Sequence, residues 1–120
     1  MYASYDDYLT CAAWSSTDEN GEPLDSYQFS DSAETKMKED LDKFVEYCQT
    51  EHAKTLEDYE NEGGTPEQFA HDFWLTRNWH GAGFWDRGLG EIGDILTKAS
   101  KTFGECDLWH NPETLEIEVM

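Results

Sequence analysis

The chain has very little positive charge. Its 120 residues include 8 Lys and Arg against 27 Asp and Glu, which gives a formal net charge of -19. Phosphate groups and anionic lipid headgroups are repelled by such a charge, so direct binding of nucleic acid or of an anionic membrane surface is not expected. No apolar run is long enough to cross a membrane, and the charged stretch Tyr5–Tyr8 breaks any N-terminal signal pattern. We therefore expect a soluble, non-exported protein whose partners are basic.

Cysteine is also scarce. Cys11, Cys48 and Cys106 are odd in number and widely spaced, which fits neither a disulfide framework nor a CxxC zinc pattern. Buried free thiols in a reducing compartment are the expected outcome. The four histidines include no pair spaced to place two imidazoles on one helical face, so we expect no metal and no cofactor.

The length allows one domain, residues 1–120, and its aromatic content of 14% argues against disorder. Apolar residues recur every three or four positions in Ala33–Glu60, which predicts a helix, either unbroken or bent near Thr50. Asp31 or Ser32 can cap its start. Gly63 and Gly64 end it.

Two further helices are predicted. Thr65–Gln68 (TPEQ) combines a cap, a proline at the first helical position and a capping-box glutamine, and the helix that it starts ends near Asn78. Residues 80–83 form a loop. Asp86 is predicted to cap a third helix, which Gly104 ends.

Three segments favour strands. Tyr8–Trp14 is short, apolar and bounded by polar residues, while Cys106–His110 and Thr114–Val119 flank a turn at residues 111–113. Residues 24–32 favour neither helix nor strand. The order of elements predicts an α+β fold: a small antiparallel sheet, with the N-terminal strand as an added member, covered on one face by about three helices.

Residues 72–88 hold the densest mixture of polar and aromatic side chains. His80 could act as a general acid or base with Asp72 or Asp86 orienting its ring, and the two arginines could hold an anionic substrate. Alternatively, the motif builds the fold: its aromatics fill the core and its arginines pair with local carboxylates. No established catalytic motif is present, so an enzyme is not the expected class. The motif residues with a structural or binding role are Arg77, Asn78, His80, Trp85, Asp86 and Arg87.

Two stretches carry a resemblance to a known family. Asp72–Gly90 (DFWLTRNWHGAGFWDRGLG) and Ser15–Asp25 (SSTDENGEPLD) resemble motifs of a family of small, acidic, mostly uncharacterised bacteriophage proteins. In that family the residue before the histidine is often small, whereas here it is Trp79. The resemblance implies a phage or mobile-element origin, and hence action in the cytoplasm of a host cell, but it implies no activity.

The negative charge itself suggests a function. A net charge of -19 far exceeds the magnitude of about 2–8 that keeps a small domain soluble, and its self-repulsion costs stability. Carboxylates every three or four residues along a helix are about 5 Å apart, which approaches the phosphate spacing of a nucleic acid strand. The hypothesis is that the chain mimics DNA or RNA and inhibits a basic, nucleic-acid-handling host protein of the restriction or CRISPR type. The predicted partner-binding residues are Glu39, Asp42, Glu46, Glu57, Glu60, Glu116 and Glu118.

Three alternatives remain open. The chain could be a small enzyme that acts on an anionic metabolite or nucleotide through the loop at His80. It could be an oligomeric accessory or structural phage protein whose exposed aromatics, such as Trp79 or Trp109, form the contact between copies. Finally, the charge could select no partner at all, because charged runs are usually solvated faces.

Overall fold

The computed structural model describes residues 1–120 and contains five α-helices, two short 3-10 turns and three short strands. The α+β class is confirmed, with more helix than predicted. The 3-10 turns span Leu24–Ser26 and Phe84–Asp86. The helices are α1 (Tyr5–Ser15), α2 (Asp31–Glu51), α3 (Ala53–Asn61), α4 (Pro66–Arg77) and α5 (Glu91–Lys101), and the strands are β1 (Gln28–Phe29), β2 (Leu108–Asn111) and β3 (Glu116–Val119).

The strand predicted at Tyr8–Trp14 is wrong, because this segment lies inside α1. Its buried residues include Tyr8, and Cys11 and Ala12 lie three and four residues after it, which is the spacing of one helix face. A short apolar run does not by itself distinguish a strand from one turn of a buried helix.

The long helical segment is confirmed, with its bend. α2 ends at Glu51 and α3 begins at Ala53, so the break falls at His52, two residues beyond the predicted position. The predicted caps, Asp31 or Ser32, are wrong: Ser30 is the cap, and its hydroxyl accepts a hydrogen bond from the Ala33 N–H at 3.2 Å.

Helix α4 begins as predicted, with the Thr65 hydroxyl accepting from the Gln68 N–H at 3.2 Å. The Gln68 side chain does not close a capping box but donates to Asp72. The predicted cap of the third helix is wrong. Asp86 accepts from the Gly83 N–H within the second 3-10 turn, and α5 starts at Glu91.

The sheet is mixed rather than antiparallel. The predicted C-terminal hairpin is present, with β2 antiparallel to β3, but the third strand is β1, from the segment that the sequence left unassigned. β1 runs parallel to β3, and Phe29 pairs with Ile117. The pairing of β1 with β3 therefore joins residues that are far apart in sequence.

A cluster of 22 buried residues forms the core and is rich in aromatic rings. Phe44 of α2 stacks on Phe73 of α4 with 3.9 Å between ring centroids, and Tyr8 of α1 stacks on the same Phe73 at 5.5 Å. Stacked aromatic rings bury large apolar areas against each other. The core thus fixes α1, α2 and α4 relative to one another, and with them the motif that α4 carries.

Candidate functional site

Arg77 is buried and serves the fold. Its guanidinium donates to Asp40 Oδ2 at 3.0 Å and to the Tyr8 hydroxyl at 3.1 Å. It also donates to the backbone carbonyl oxygens of Gly104 at 2.8 Å and Phe103 at 3.1 Å. Burial by itself would raise the pKa of Asp40, but hydrogen bonds from Lys36 and Arg77 outweigh this and hold that pKa below its ordinary value. Four of the five N–H donors of Arg77 are therefore engaged within the protein.

Arg87 is neutralised by Asp72. Its Nη2 and Nε both donate to the Asp72 carboxylate, which is fully buried, with a shortest distance of 2.9 Å. Gln68 donates to the same carboxylate at 2.9 Å. Neither arginine of the motif is free to hold an anionic substrate, as the enzyme hypothesis requires.

Other motif residues tie neighbouring elements together. Asn78 accepts from the Cys106 N–H at 2.8 Å and so joins the end of α4 to the segment that leads into β2. The Thr76 hydroxyl accepts from the Phe84 N–H at 3.1 Å. Gly83 fits only without a side chain, because a Cβ there would collide with the Thr76 hydroxyl. These contacts support the interpretation that the motif mainly builds the fold.

His80 lines a surface cleft of about 270 Å³. Its imidazole makes no hydrogen bond to a neighbouring side chain. Asp72 is held by Arg87 and Gln68, and Asp86 is held by the Gly83 N–H, so neither of them orients the ring as predicted. Cys106 lines the same cleft, and burial raises the pKa of its thiol, which keeps it a weak nucleophile.

All three cysteines are free and buried, as expected from their spacing. Burial raises the pKa of Cys11 and of Cys48 to about 12. Nowhere do three or more His, Cys, Asp or Glu side chains converge in an arrangement that could hold a metal ion. No helix is both long and apolar enough to span a bilayer.

Most carboxylates have no cationic partner. Of the 27 acidic side chains, six lie within 4 Å of a positively charged group, and 21 do not. Five of the eight Lys and Arg side chains are used in these ion pairs, which leaves three to offset the outer charge. The acidic side chains in ion pairs are Glu34, Asp40, Asp58, Glu60, Asp72 and Asp86.

The predicted helical residues are exposed, but their face is interrupted. Glu39, Asp42 and Glu46 lie on the outer side of α2, and Asp42 accepts a hydrogen bond from the Tyr5 hydroxyl at 2.6 Å. Three lysines at positions 36, 38 and 43 share this helix with them. Glu57 and Glu60 are exposed on α3, which follows the bend at His52. The five residues are thus spread along two helices rather than gathered in one cluster.

Glu116 and Glu118 lie on β3, at the opposite end of α2. Glu118 accepts a hydrogen bond from the Ser30 hydroxyl, the residue that caps α2. Helix α2 has 21 residues and is about 31 Å long. Glu116 and Glu118 therefore lie on a different region of the surface from Glu57 and Glu60.

The structure brings together a larger acidic region that the sequence analysis missed. Residues 16–31 and 105–120 contain ten Asp and Glu and no Lys or Arg. They meet because β1 pairs with β3 and because the Tyr27 ring stacks on His110 with 3.9 Å between centroids. We call these two segments the acidic end. Its carboxylates belong to Asp18, Glu19, Glu22, Asp25, Asp31, Glu105, Asp107, Glu113, Glu116 and Glu118.

Asp18 shapes the first segment of the acidic end. The backbone N–H groups of Glu22 and Asn20 donate to its carboxylate at 3.0 and 2.8 Å and hold the pKa of Asp18 below its ordinary value. This turn leaves the side chains of Glu19 and Glu22 exposed. The absence of Lys and Arg from both segments is visible in the sequence and could have identified the region.

Comparisons of the chain with protein-family models, with curated proteins and with solved structures find no match. Charge, exposed side chains and the cleft are therefore the basis for inferring a function.

Proposed function

We propose that this is an acidic phage protein that acts by binding inside the host cell, and not by catalysis. Its partner is a basic, nucleic-acid-handling host protein of the restriction or CRISPR type. The observation that carries the proposal is the acidic end, where ten carboxylates occur without a single Lys or Arg. A basic cleft that holds phosphates is complementary to such a surface.

The acidic end suits this role better than the predicted helical face. On α2 the exposed carboxylates alternate with three lysines, which reduce the local negative charge. At the acidic end no Lys or Arg offsets the carboxylates. We therefore propose that the partner binds mainly at the acidic end, which includes Glu116 and Glu118. The predicted helical residues on α2 and α3 contribute less to binding.

The first experiment captures a partner and then reverses charge in matched sets. The tagged protein is incubated with nuclease-treated host lysate, and bound proteins are eluted with a salt ramp. Three triple variants are compared with the wild type, and each raises the net charge by the same amount. One carries Lys at Glu19, Glu22 and Glu113 of the acidic end.

The second variant carries Lys at the helical residues Glu39, Glu46 and Glu57. The third, a control, carries Lys at exposed positions outside both regions: Asp6, Glu62 and Glu91. We expect the acidic-end variant to lose the partner, the helical variant to lose part of the binding, and the control to retain most of it. Equal losses in all three would show that charge acts without a defined surface and would contradict the proposal.

A further inference from the structure

Three of the eight cationic side chains line a single cavity, which we call the basic cavity. They belong to Lys36, Lys43 and Arg77. The cavity has a volume of about 350 Å³ and is larger than the cleft at His80. Cavities that bind small molecules have volumes of about 300–1,000 Å³. The basic cavity is therefore large enough for a small ligand, and its cations distinguish it from the rest of an acidic protein.

Helix α2 brings two lysines to the basic cavity through its period. Lys36, Asp40 and Lys43 are separated by four and three residues, so they share one face of the helix, and all three line the cavity. Arg77 reaches the cavity from the end of α4, and the segment after α5 and residues 119–120 complete the wall. Elements that are distant in sequence thus form the site together.

Asp40 does not cancel these cations. Its Oδ1 accepts a hydrogen bond from Lys36 Nζ at 2.8 Å, and its Oδ2 accepts one from the Arg77 guanidinium at 3.0 Å. One carboxylate is therefore shared by two cations, and the group of three carries one net positive charge. Because most donors of Arg77 are already engaged, the guanidinium contributes charge to the cavity, whereas the Lys36 ammonium keeps two of its three donors for a ligand.

Lys43 has no acidic partner. Its ammonium donates no hydrogen bond within the protein and lies within 4 Å of no carboxylate, although acidic residues outnumber cationic ones by more than three to one. Glu105 lines the same cavity and is likewise in no ion pair. The wall holds three positive and two negative side chains, so one positive charge is left without an internal counterpart.

The rest of the wall is apolar. It consists of Phe103, Cys106, Val119 and Met120. Burial raises the pKa of the Cys106 thiol, so this side chain stays uncharged. An apolar wall beside one excess positive charge is complementary to an anion that has a single negative charge and an apolar body. A polyanion such as a nucleotide would bring more negative charge than the wall can offset, and the net charge of -19 would repel it.

We propose that the basic cavity binds a small organic acid in the form of its carboxylate. The carboxylate pairs with the ammonium groups of Lys36 and Lys43. The apolar body lies against Phe103 and Val119. This binding activity goes beyond the proposed function, because a small acid needs no host partner in order to bind.

Phenylacetate is the probe, because it combines one carboxylate with an apolar ring. Its binding is followed through the backbone amide signals of the ¹⁵N-labelled protein. We expect the signals of Lys43 and Cys106 to move until the site saturates, and that of Lys98, which lines a different cavity, to stay in place. Phenylacetamide has the same shape without the charge and should bind about fivefold more weakly. Acetate lacks the ring and should bind about tenfold more weakly.

Lys43→Gln tests the role of the unpaired ammonium. It should weaken phenylacetate binding about two- to fivefold, which is the loss expected for an exposed ion pair. Lys98→Gln is the matched control, because Lys98 is also exposed and in no ion pair, and its replacement changes the net charge by the same amount. The control should bind phenylacetate as the wild type does.

Several results would overturn the proposal. Equal weakening by Lys43→Gln and Lys98→Gln would show that only the overall charge matters. Equal affinity for phenylacetate and phenylacetamide would show that no carboxylate is recognised, and tighter binding of inorganic phosphate would assign the site to a different class of anion. Signals of Lys43 and Cys106 that stay in place up to about 50 mM phenylacetate would show that the cavity binds no such acid.

Discussion

The pairing of Arg77 with Asp40 illustrates, at the scale of residues, why a motif that suggests chemistry serves packing instead. Both side chains are buried, and the arginine also holds Tyr8 and two backbone carbonyls. A buried ion pair adds little net stability compared with apolar packing, but removal of one partner leaves an uncompensated charge. The intact pair therefore adds little net stability, whereas loss of one partner strongly destabilises the fold.

Asp40→Asn should lower the free energy of unfolding by about 3–5 kcal/mol at neutral pH, because Arg77 then stays buried without its counter-charge. The pKa of Asp40 lies below its ordinary value in the folded protein. Its stabilising contribution is therefore complete above that ordinary value and is lost as the pH falls through the folded-state pKa. In urea unfolding, the difference in the free energy of unfolding between wild type and variant should become smaller below about pH 4.

Glu39→Gln on the same helix is the control for Asp40→Asn. Glu39 is exposed and makes no ion pair, so its removal should change the free energy of unfolding by less than about 0.5 kcal/mol. If wild type and Asp40→Asn differ in free energy of unfolding by the same amount from pH 7 to pH 3, the assigned role of the carboxylate is refuted.

Trp79→Gly should stabilise the fold, because Trp79 has a left-handed backbone conformation, with a φ of +58°, and its indole is exposed. Relief of the left-handed conformation favours the variant by about 1–2 kcal/mol, and loss of the Lys101 contact costs about 0.5–1 kcal/mol. We expect the free energy of unfolding, measured in urea, to rise by about 0.5–1 kcal/mol.

Leu115→Gly provides the comparison, because Leu115 is the other non-glycine residue with positive φ, at +61°, and is likewise exposed. It should raise the free energy of unfolding by about 1–2 kcal/mol, because no cation–π contact is lost at this position. A Trp79→Gly variant that is less stable than wild type would show that the indole serves the fold.

At the scale of elements, the sequence predicted those whose pattern is local. The apolar stripe of α2 and α3, the Thr65 cap of α4 and the C-terminal hairpin all follow from residues within a few positions of one another. Tyr8–Trp14 was mistaken for a strand, because seven residues span too few helical turns to establish a period. β1 has two residues and exists only through its pairing with β3, which local patterns do not encode.

The same limit applies to the candidate site. The surplus of carboxylates was evident from composition, and so was the concentration of polar residues in the motif at 72–88. Which carboxylates cluster depends on the contact between residues 16–31 and 105–120, which are separated by most of the chain. Arg77 and Arg87 bind carboxylates or backbone groups that lie far from them in sequence. The sequence could therefore suggest that both arginines are neutralised, but it could not identify the groups that neutralise them.

At the scale of the whole molecule, charge is distributed unevenly over an elongated shape of 46 × 25 × 22 Å. Five of the eight Lys and Arg side chains are used in ion pairs, and Arg77 is buried, so the outer surface is dominated by unpaired carboxylates. The acidic end concentrates ten of these carboxylates. Electrostatic attraction would then guide a basic partner toward this end.

The measurement that tests mimicry most directly is competition between this protein and nucleic acid for the captured host partner. The partner is immobilised, the protein is bound at about 50 mM salt, and a nucleic acid that the partner handles is titrated in. We predict mutually exclusive binding and a steep loss of affinity between about 50 and 200 mM salt. A stable ternary complex, or an affinity for the protein that does not respond to salt, would contradict the account.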